Sequence, residues 1–177
     1  MKMAVQFWRN QGVEGRTRFL SFLGGYHGDT MAAMSVCDPE EGMHTAFAGY
    51  LPEQTVVPLP SEADQLATFD ALLRRLRNEL AAVIVEPLVQ AAGGMKFHSP
   101  ETLAGIRNAC AAQDILFIAD EIATGFGRTG HLFACEEADV TPDIICVGKA
   151  LTGGALGLAA TAASTRVYNA FLDDDPS

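Results

Sequence analysis

Three apolar runs, each ending beside a charged residue, constrain the fold of this chain more than any other feature. The run at 82–85 stops at Glu86, that at 115–119 stops at Asp120, and that at 143–147 stops at Gly148 and Lys149. Strands apolar on both faces suit a parallel sheet covered by helices on both sides, because a sheet with one wet face would alternate. Helical periodicity supplies the covers. Leu66, Phe69, Leu72, Leu73, Leu76 and Leu80 recur three or four apart over 62–80, with Arg74, Arg75 and Arg77 near the C-terminal end, where cations suit the helix dipole. A second helix is predicted over 100–113. Residues 1–11 read as an amphipathic helix with Met1, Val5 and Trp8 on one face and no capping residue ahead of it. Strands alternating with helices predict an α/β three-layer sandwich with a mainly parallel sheet and right-handed crossovers.

Composition narrows the partners. The 177 residues carry 22 acidic against 12 basic side chains, a net charge of −10, so a polyphosphate would be repelled and nucleic acid is an unsuitable partner. No apolar run approaches the ~20 residues of a membrane span. The N-terminus has Gln6, Arg9, Asn10 and Gln11 where a signal peptide needs an apolar centre, so the expected setting is soluble and cytoplasmic. Cys37, Cys110, Cys135 and Cys146 form no CxxC pair and read as reduced thiols, mostly buried. His44, His98 and His131 lack metal-ligand spacing and read as surface or loop residues. The stretch 37–60, broken by Pro39, Gly42, Gly49, Pro52, Pro58 and Pro60, is long for a connection and reads as functional or interfacial. The acidic end at 173–177 reads as frayed.

The strand ends are where chemistry is expected, since open α/β sheets bind ligands outside the carboxyl ends of their strands. Each of Glu86, Asp120 and Lys149 alone reads as a solvated charge that ends a strand; three together, beside glycine-rich turns, point to a site. A lysine in an apolar, crowded site loses its proton easily and becomes a nucleophile toward an aldehyde. A carboxylate on a neighbouring strand suits a pyridinium nitrogen, a role that fits Asp120. Tyr26, on a turn lined by Gly24, Gly25 and Gly28, can stack on a flat ligand, although by itself it reads as an aromatic of the turn.

Four ordered motifs now carry a resemblance: GGYHGDT at 24–30, VEP at 85–87, DEIATGFGRTG at 120–130 and CVGKALTGG at 146–154. They resemble the class III, fold type I aminotransferases, which use pyridoxal 5'-phosphate. SVCDP at 35–39, Gly42-Met43-His44 and the stretch 86–95 are most similar to the subtype that forms diaminopelargonate for biotin synthesis. The resemblance covers nearly the whole chain. It implies that Lys149 forms the Schiff base with the cofactor and shuttles the proton, and that Asp120 pairs with the pyridine nitrogen. Tyr26 would pack on the cofactor and line the substrate pocket, Ile122 would pack on the other face, and Glu86 matches an active-site acid that orients neighbours of Asp120. His27 would add polar contacts near the cofactor. The implied substrates are S-adenosylmethionine as amino donor and 8-amino-7-oxononanoate as acceptor.

Many members of the class carry Gln at the position of Ala123, and its absence agrees with the diaminopelargonate subtype. Asp29 stands where that subtype has an acid near the donor site, with a helix cap for Thr30 onward as the plain alternative. Arg128 reads equally as a channel residue or as a loop arginine paired with acidic surface. The resemblance further implies that 1–177 is the central part of the large cofactor domain. The N-terminal segment, the phosphate-binding turn and the small C-terminal domain would then lie outside it, and the isolated chain would be weakly active at best. Members of the family are homodimers with the active site at the interface. Two other readings stay open: a different class III enzyme acting on an ω-amino acid, a diamine or a lysine donor, and a noncatalytic truncated product.

Overall fold

The computed structural model describes residues 1–40 and 44–172, so Gly42, Met43 and the acidic end at 173–177 lie outside the described residues. In chain order the elements are α1 (Lys2–Asn10), β1 (Arg18–Phe22), α2 (Met31–Met34), β2 (Thr55–Val57), α3 (Ala63–Leu76), β3 (Leu80–Val85), β4 (Val89–Gln90), β5 (Lys96–Phe97), α4 (Pro100–Ala112), β6 (Leu116–Asp120), α5 (Ala134–Glu137), β7 (Ile144–Val147), β8 (Ala160–Ala163) and α6 (Thr165–Asn169). Short 3₁₀ turns occupy Thr45–Phe47 and Lys149–Leu151.

Six strands form one sheet in the order β2-β1-β3-β6-β7-β8, and β4 with β5 makes a small hairpin. All pairings in the large sheet are parallel except that of β7 with β8. The α/β sandwich with a mainly parallel sheet is thus observed. Alternate residues of the central strands feed two separate cores. Val83, Val85, Phe117 and Ala119 join Leu73 of α3 and Leu103 and Ile106 of α4 on one side. Ala82, Ile84, Leu116 and Ile118 join Ala4, Phe7 and Trp8 of α1 and Val167 of α6 on the other. Burial on both faces explains why these strands read as unbroken apolar runs.

Local chemistry sets the helix ends. Glu62 and Gln65 make a reciprocal capping box at the start of α3. Ser99 caps α4, its hydroxyl accepting from the Thr102 amide at 3.2 Å, with Pro100 in the first turn. Met1 stands at the N-cap of α1 with no side-chain bond, as expected. That helix is held instead by Trp8, whose Nε1 donates to the Ala81 carbonyl at 2.8 Å.

Several boundaries depart from the sequence expectation. Leu80, predicted as the last apolar position of a helix, is the first residue of β3, because α3 ends at Leu76 and three residues of turn follow. The helix expected from Thr30 onward is only the four residues of α2. Strand β8 had no signal: Ala160–Ala163 is a run of small residues with low strand propensity, exposed throughout, and its place comes from antiparallel pairing with β7. All four cysteines are free thiols, and Cys37, Cys110 and Cys135 are buried. No helix among the described residues is long and apolar enough to cross a membrane.

Replacing Ser99 by Ala removes the α4 cap and is expected to cost about 1 kcal/mol of stability, read as a lower urea midpoint at unchanged slope.

Candidate active site

In-register pairing aligns the C-terminal ends of the three central strands. Val85 pairs with Ala119 of β6, and Asp120 pairs with Cys146 of β7. Parallel neighbours lie about 4.8 Å apart. Glu86, Asp120 and the Gly148-Lys149 turn therefore leave the same edge of the sheet on consecutive strands, as the sequence pattern suggested.

Asp120 is the last residue of β6 and only 5% exposed. Its Oδ2 lies 2.7 Å from Nδ1 of His27, and its Oδ1 accepts from the Ile122 amide at 3.2 Å. A carboxylate is acceptor-only, so His27 donates through Nδ1. The His27 side chain is 2% exposed, and its backbone amide points at Cys37 Sγ, 3.2 Å away. His27 is thus a direct partner of the key carboxylate, a more specific place than the general polar contact expected of it. No sequence pattern reveals a contact across 93 positions.

Glu86 is also buried, and burial pushes its carboxyl pKa upward, opposed by the hydrogen bonds it receives. Its Oε2 accepts from the Tyr26 amide at 3.0 Å and its Oε1 from the Ala91 amide at 3.1 Å. Glu86 therefore fastens the turn after β1 to the turn after β3. Those turns touch elsewhere too: a Cβ on Gly93 would collide with the Gly24 carbonyl oxygen, an approach only glycine permits. Glu121, which follows Asp120 in the chain, is fully buried. It accepts from Thr124 Oγ1 and from the Ala134 and Cys135 amides at 2.5, 3.1 and 2.9 Å. It thereby ties down the loop 121–134 that carries Ile122, Ala123 and Arg128.

Lys149 is exposed, in contrast to the apolar, crowded setting that was expected, and it makes no ion pair among the described residues. Its φ of +42° puts it in the left-handed region, which an ordinary side chain rarely adopts and which recurs at functional sites. Lys149 lines a cleft of about 690 Å³ together with Ala123, Thr124, Arg128, Thr129 and His98. Arg128 lines this cleft and pairs with no acid among the described residues. Ile122 lies beside the same turn, its Cγ2 3.5 Å from where a Cβ on Gly148 would be.

Tyr26 is half-buried at the rim. Its hydroxyl donates to Asp29 Oδ1 at 2.9 Å, and burial followed by that carboxylate raises its pKa. His44 Nε2 meets the same Asp29 oxygen at 2.9 Å, and its ring stacks on Tyr26 with centroids 6.0 Å apart. These two bonds, that from His44 first, lower the pKa of Asp29. The capping alternative for Asp29 is not realised, since Thr30 occupies the N-cap of α2 and no side chain caps that helix. His44, 9% exposed, and His98, half-buried and bonded to the Glu86 carbonyl at 3.0 Å, both lie in loops, as the surface-or-loop expectation allows, though neither is open to solvent. His131 is, pairing with Glu137 at 2.7 Å.

The donor set fits a flat pyridine bearing an aldehyde. Asp120 uses two of about four acceptor positions and keeps capacity for a ring N–H. A lysine just past the end of the adjacent strand, with no ion pair among the described residues, lines an open cleft, and the branched apolar side chain of Ile122 lies beside the turn that carries it.

Comparison with known proteins agrees with this geometry. The aminotransferase class-III family model matches residues 1–175. Adenosylmethionine-8-amino-7-oxononanoate aminotransferase of Mycobacterium leprae is 50% identical over 173 residues, covering 96% of this chain and 40% of the relative. The enzyme of that name from Corynebacterium glutamicum is 48% identical, covering 94% and 41%. The crystal structure of the Methanocaldococcus jannaschii enzyme of that name superposes with a TM-score of 0.89 at 40% identity, over 98% of this chain and 40% of that one. A PLP-bound amine transaminase from an uncultivated Pseudomonas species gives 0.88 at 34% identity, over 96% and 41%. The chain thus spans about two fifths of the length of the relatives it matches. With one family model matched over almost every residue and the strand-end site in place, the chain belongs to the class III aminotransferases.

Proposed function

We propose that this chain forms the ring-binding and proton-transfer part of a pyridoxal-phosphate aminotransferase that moves an amino group from S-adenosylmethionine to 8-amino-7-oxononanoate, giving 7,8-diaminononanoate for biotin synthesis. One observation carries the reading: Asp120 and Lys149 leave adjacent, in-register parallel strands at the same edge of the sheet. The names of the relatives support the substrates, and Ala123 agrees with that choice within the class. In this reading 1–177 is the central part of the large domain, and the phosphate-binding turn and small domain belong to the remainder of a longer protein.

Bound pyridoxal phosphate supplies an aldehyde that links to amines and a pyridinium that withdraws electrons from the reacting carbon. Lys149 presents the amine that holds the group and, when free, takes and returns the migrating proton at Nζ. Asp120 keeps the proton on the ring nitrogen by pairing with it, and His27 keeps Asp120 in place. Ile122 and Tyr26 offer faces for a flat ring, and Glu86 sets the backbone turn from which Tyr26 projects. Asp29 offers a carboxylate to a cationic donor, and Arg128 lines the channel. The exposed apolar side chains Met95, Phe97, Leu132, Leu156 and Leu158 support a homodimer in which a second copy covers the cleft. Four free thiols suit a cytoplasmic setting.

Incubation with pyridoxal phosphate, reduction by borohydride and peptide mapping is expected to put the phosphopyridoxyl mass on Lys149. Label on another lysine overturns the site. In the full-length enzyme, Asp120→Asn is expected to lower kcat on the order of 10²–10³-fold, because the charge that sustains the pyridinium is lost. Stopped-flow decay of the cofactor band with S-adenosylmethionine measures it, and a change under about threefold refutes the role of Asp120.

A further inference from the structure

Asp29, Tyr26 and His44 come from two separated loops and meet at one oxygen. Asp29 Oδ1 takes both the Tyr26 hydroxyl and His44 Nε2, each at 2.9 Å, while its Oδ2 accepts from no described residue. The Asp29 side chain is 71% exposed, so it is free to swing unless something fixes it. The His44 side chain is 9% exposed and stacks on the Tyr26 ring. An exposed carboxylate carrying two bonds to one oxygen has a set orientation, with the other oxygen turned outward.

We propose that His44 is a positioning residue for the amino donor: it locks Asp29 so that Oδ2 faces a cationic substrate, and it holds the Tyr26 ring at the rim of the site. This deepens the reading given above and rests on it for the identity of the cation. The chemistry of the contact sets the tautomer. A carboxylate donates nothing, so Nε2 carries the hydrogen. Nδ1 is buried with no hydrogen-bond partner among the described residues, which suits the bare, lone-pair nitrogen. His44 is then a fixed Nε2 donor whose imidazole also stacks on Tyr26. Its removal leaves Asp29 with only the Tyr26 hydroxyl, and the carboxylate regains its rotational freedom.

The full-length holoenzyme tests this with His44→Ala and His44→Gln, the glutamine amide being able to replace Nε2 as donor. His44→Ala is expected to raise the KM for S-adenosylmethionine on the order of tenfold, the loss of one hydrogen bond to a charged group, with kcat within about threefold. His44→Gln is expected to return KM to within about threefold of the parent. Borohydride labelling of Lys149 is expected to persist in both. Unchanged KM in His44→Ala, or a joint fall of kcat and of Lys149 labelling in both variants, overturns the proposal. A second readout needs no cofactor: long-range ¹⁵N–¹H correlation of the unliganded protein is expected to give His44 as a fixed Nε2–H tautomer that averages in Asp29→Ala, which leaves Nε2 without its acceptor. Averaging already in the parent overturns the Asp29 contact. If Lys149 fails to label even in the parent, the cofactor reading falls, and the tautomer still decides whether His44 holds Asp29.

Discussion

The parallel register of β3, β6 and β7 is the constraint on which the rest depends. It fixes where each strand stops relative to its neighbours, and so it converts three residues far apart in sequence into one row at the edge of a sheet. The register is in turn enforced by burial on both faces. A slip of one residue would exchange the side chains that pack on α3 and α4 with those that pack on α1 and α6, and the two cores are filled differently. The positions of Asp120 and Lys149 are thus secured by Phe117, Ile118, Val83 and Ile84, none of which takes part in the chemistry.

Above that row, buried carboxylates organise the turns. Glu86 and Glu121 each collect backbone amides from segments distant in sequence, the first joining the Tyr26 turn to the Ala91 turn and the second anchoring the loop after β6 to the start of α5. A carboxyl group is costly to bury alone, and the amides directed at both offset that cost. The result is a site in which the backbone is fixed while Lys149, Arg128 and Asp29 stay exposed and reachable by ligand.

Much of this was legible beforehand, for a physical reason: unbroken apolar runs, helical periodicity and charged strand ends are local patterns, and local patterns survive in one dimension. The alternation gave the sandwich, and the charges at the ends of the runs gave the site row. The small-residue strand β8 was not legible, since only its pairing with β7 makes it a strand. Nor was the short reach of α2, whose residues were expected to continue helically.

The histidines mark the boundary most clearly. Residue types and spacing alone determined that this chain makes a doubly covered parallel sheet with Glu86, Asp120 and Lys149 past its strand ends, because burial on two faces leaves an unmistakable trace in composition along the chain. Only the tertiary structure decided that His27 grips Asp120, that His44 and Tyr26 share one oxygen of Asp29, and that Lys149 stands open to a cleft. Those are contacts between turns, made by single side chains across up to 93 positions, and a single side chain carries no periodicity from which its partner can be read.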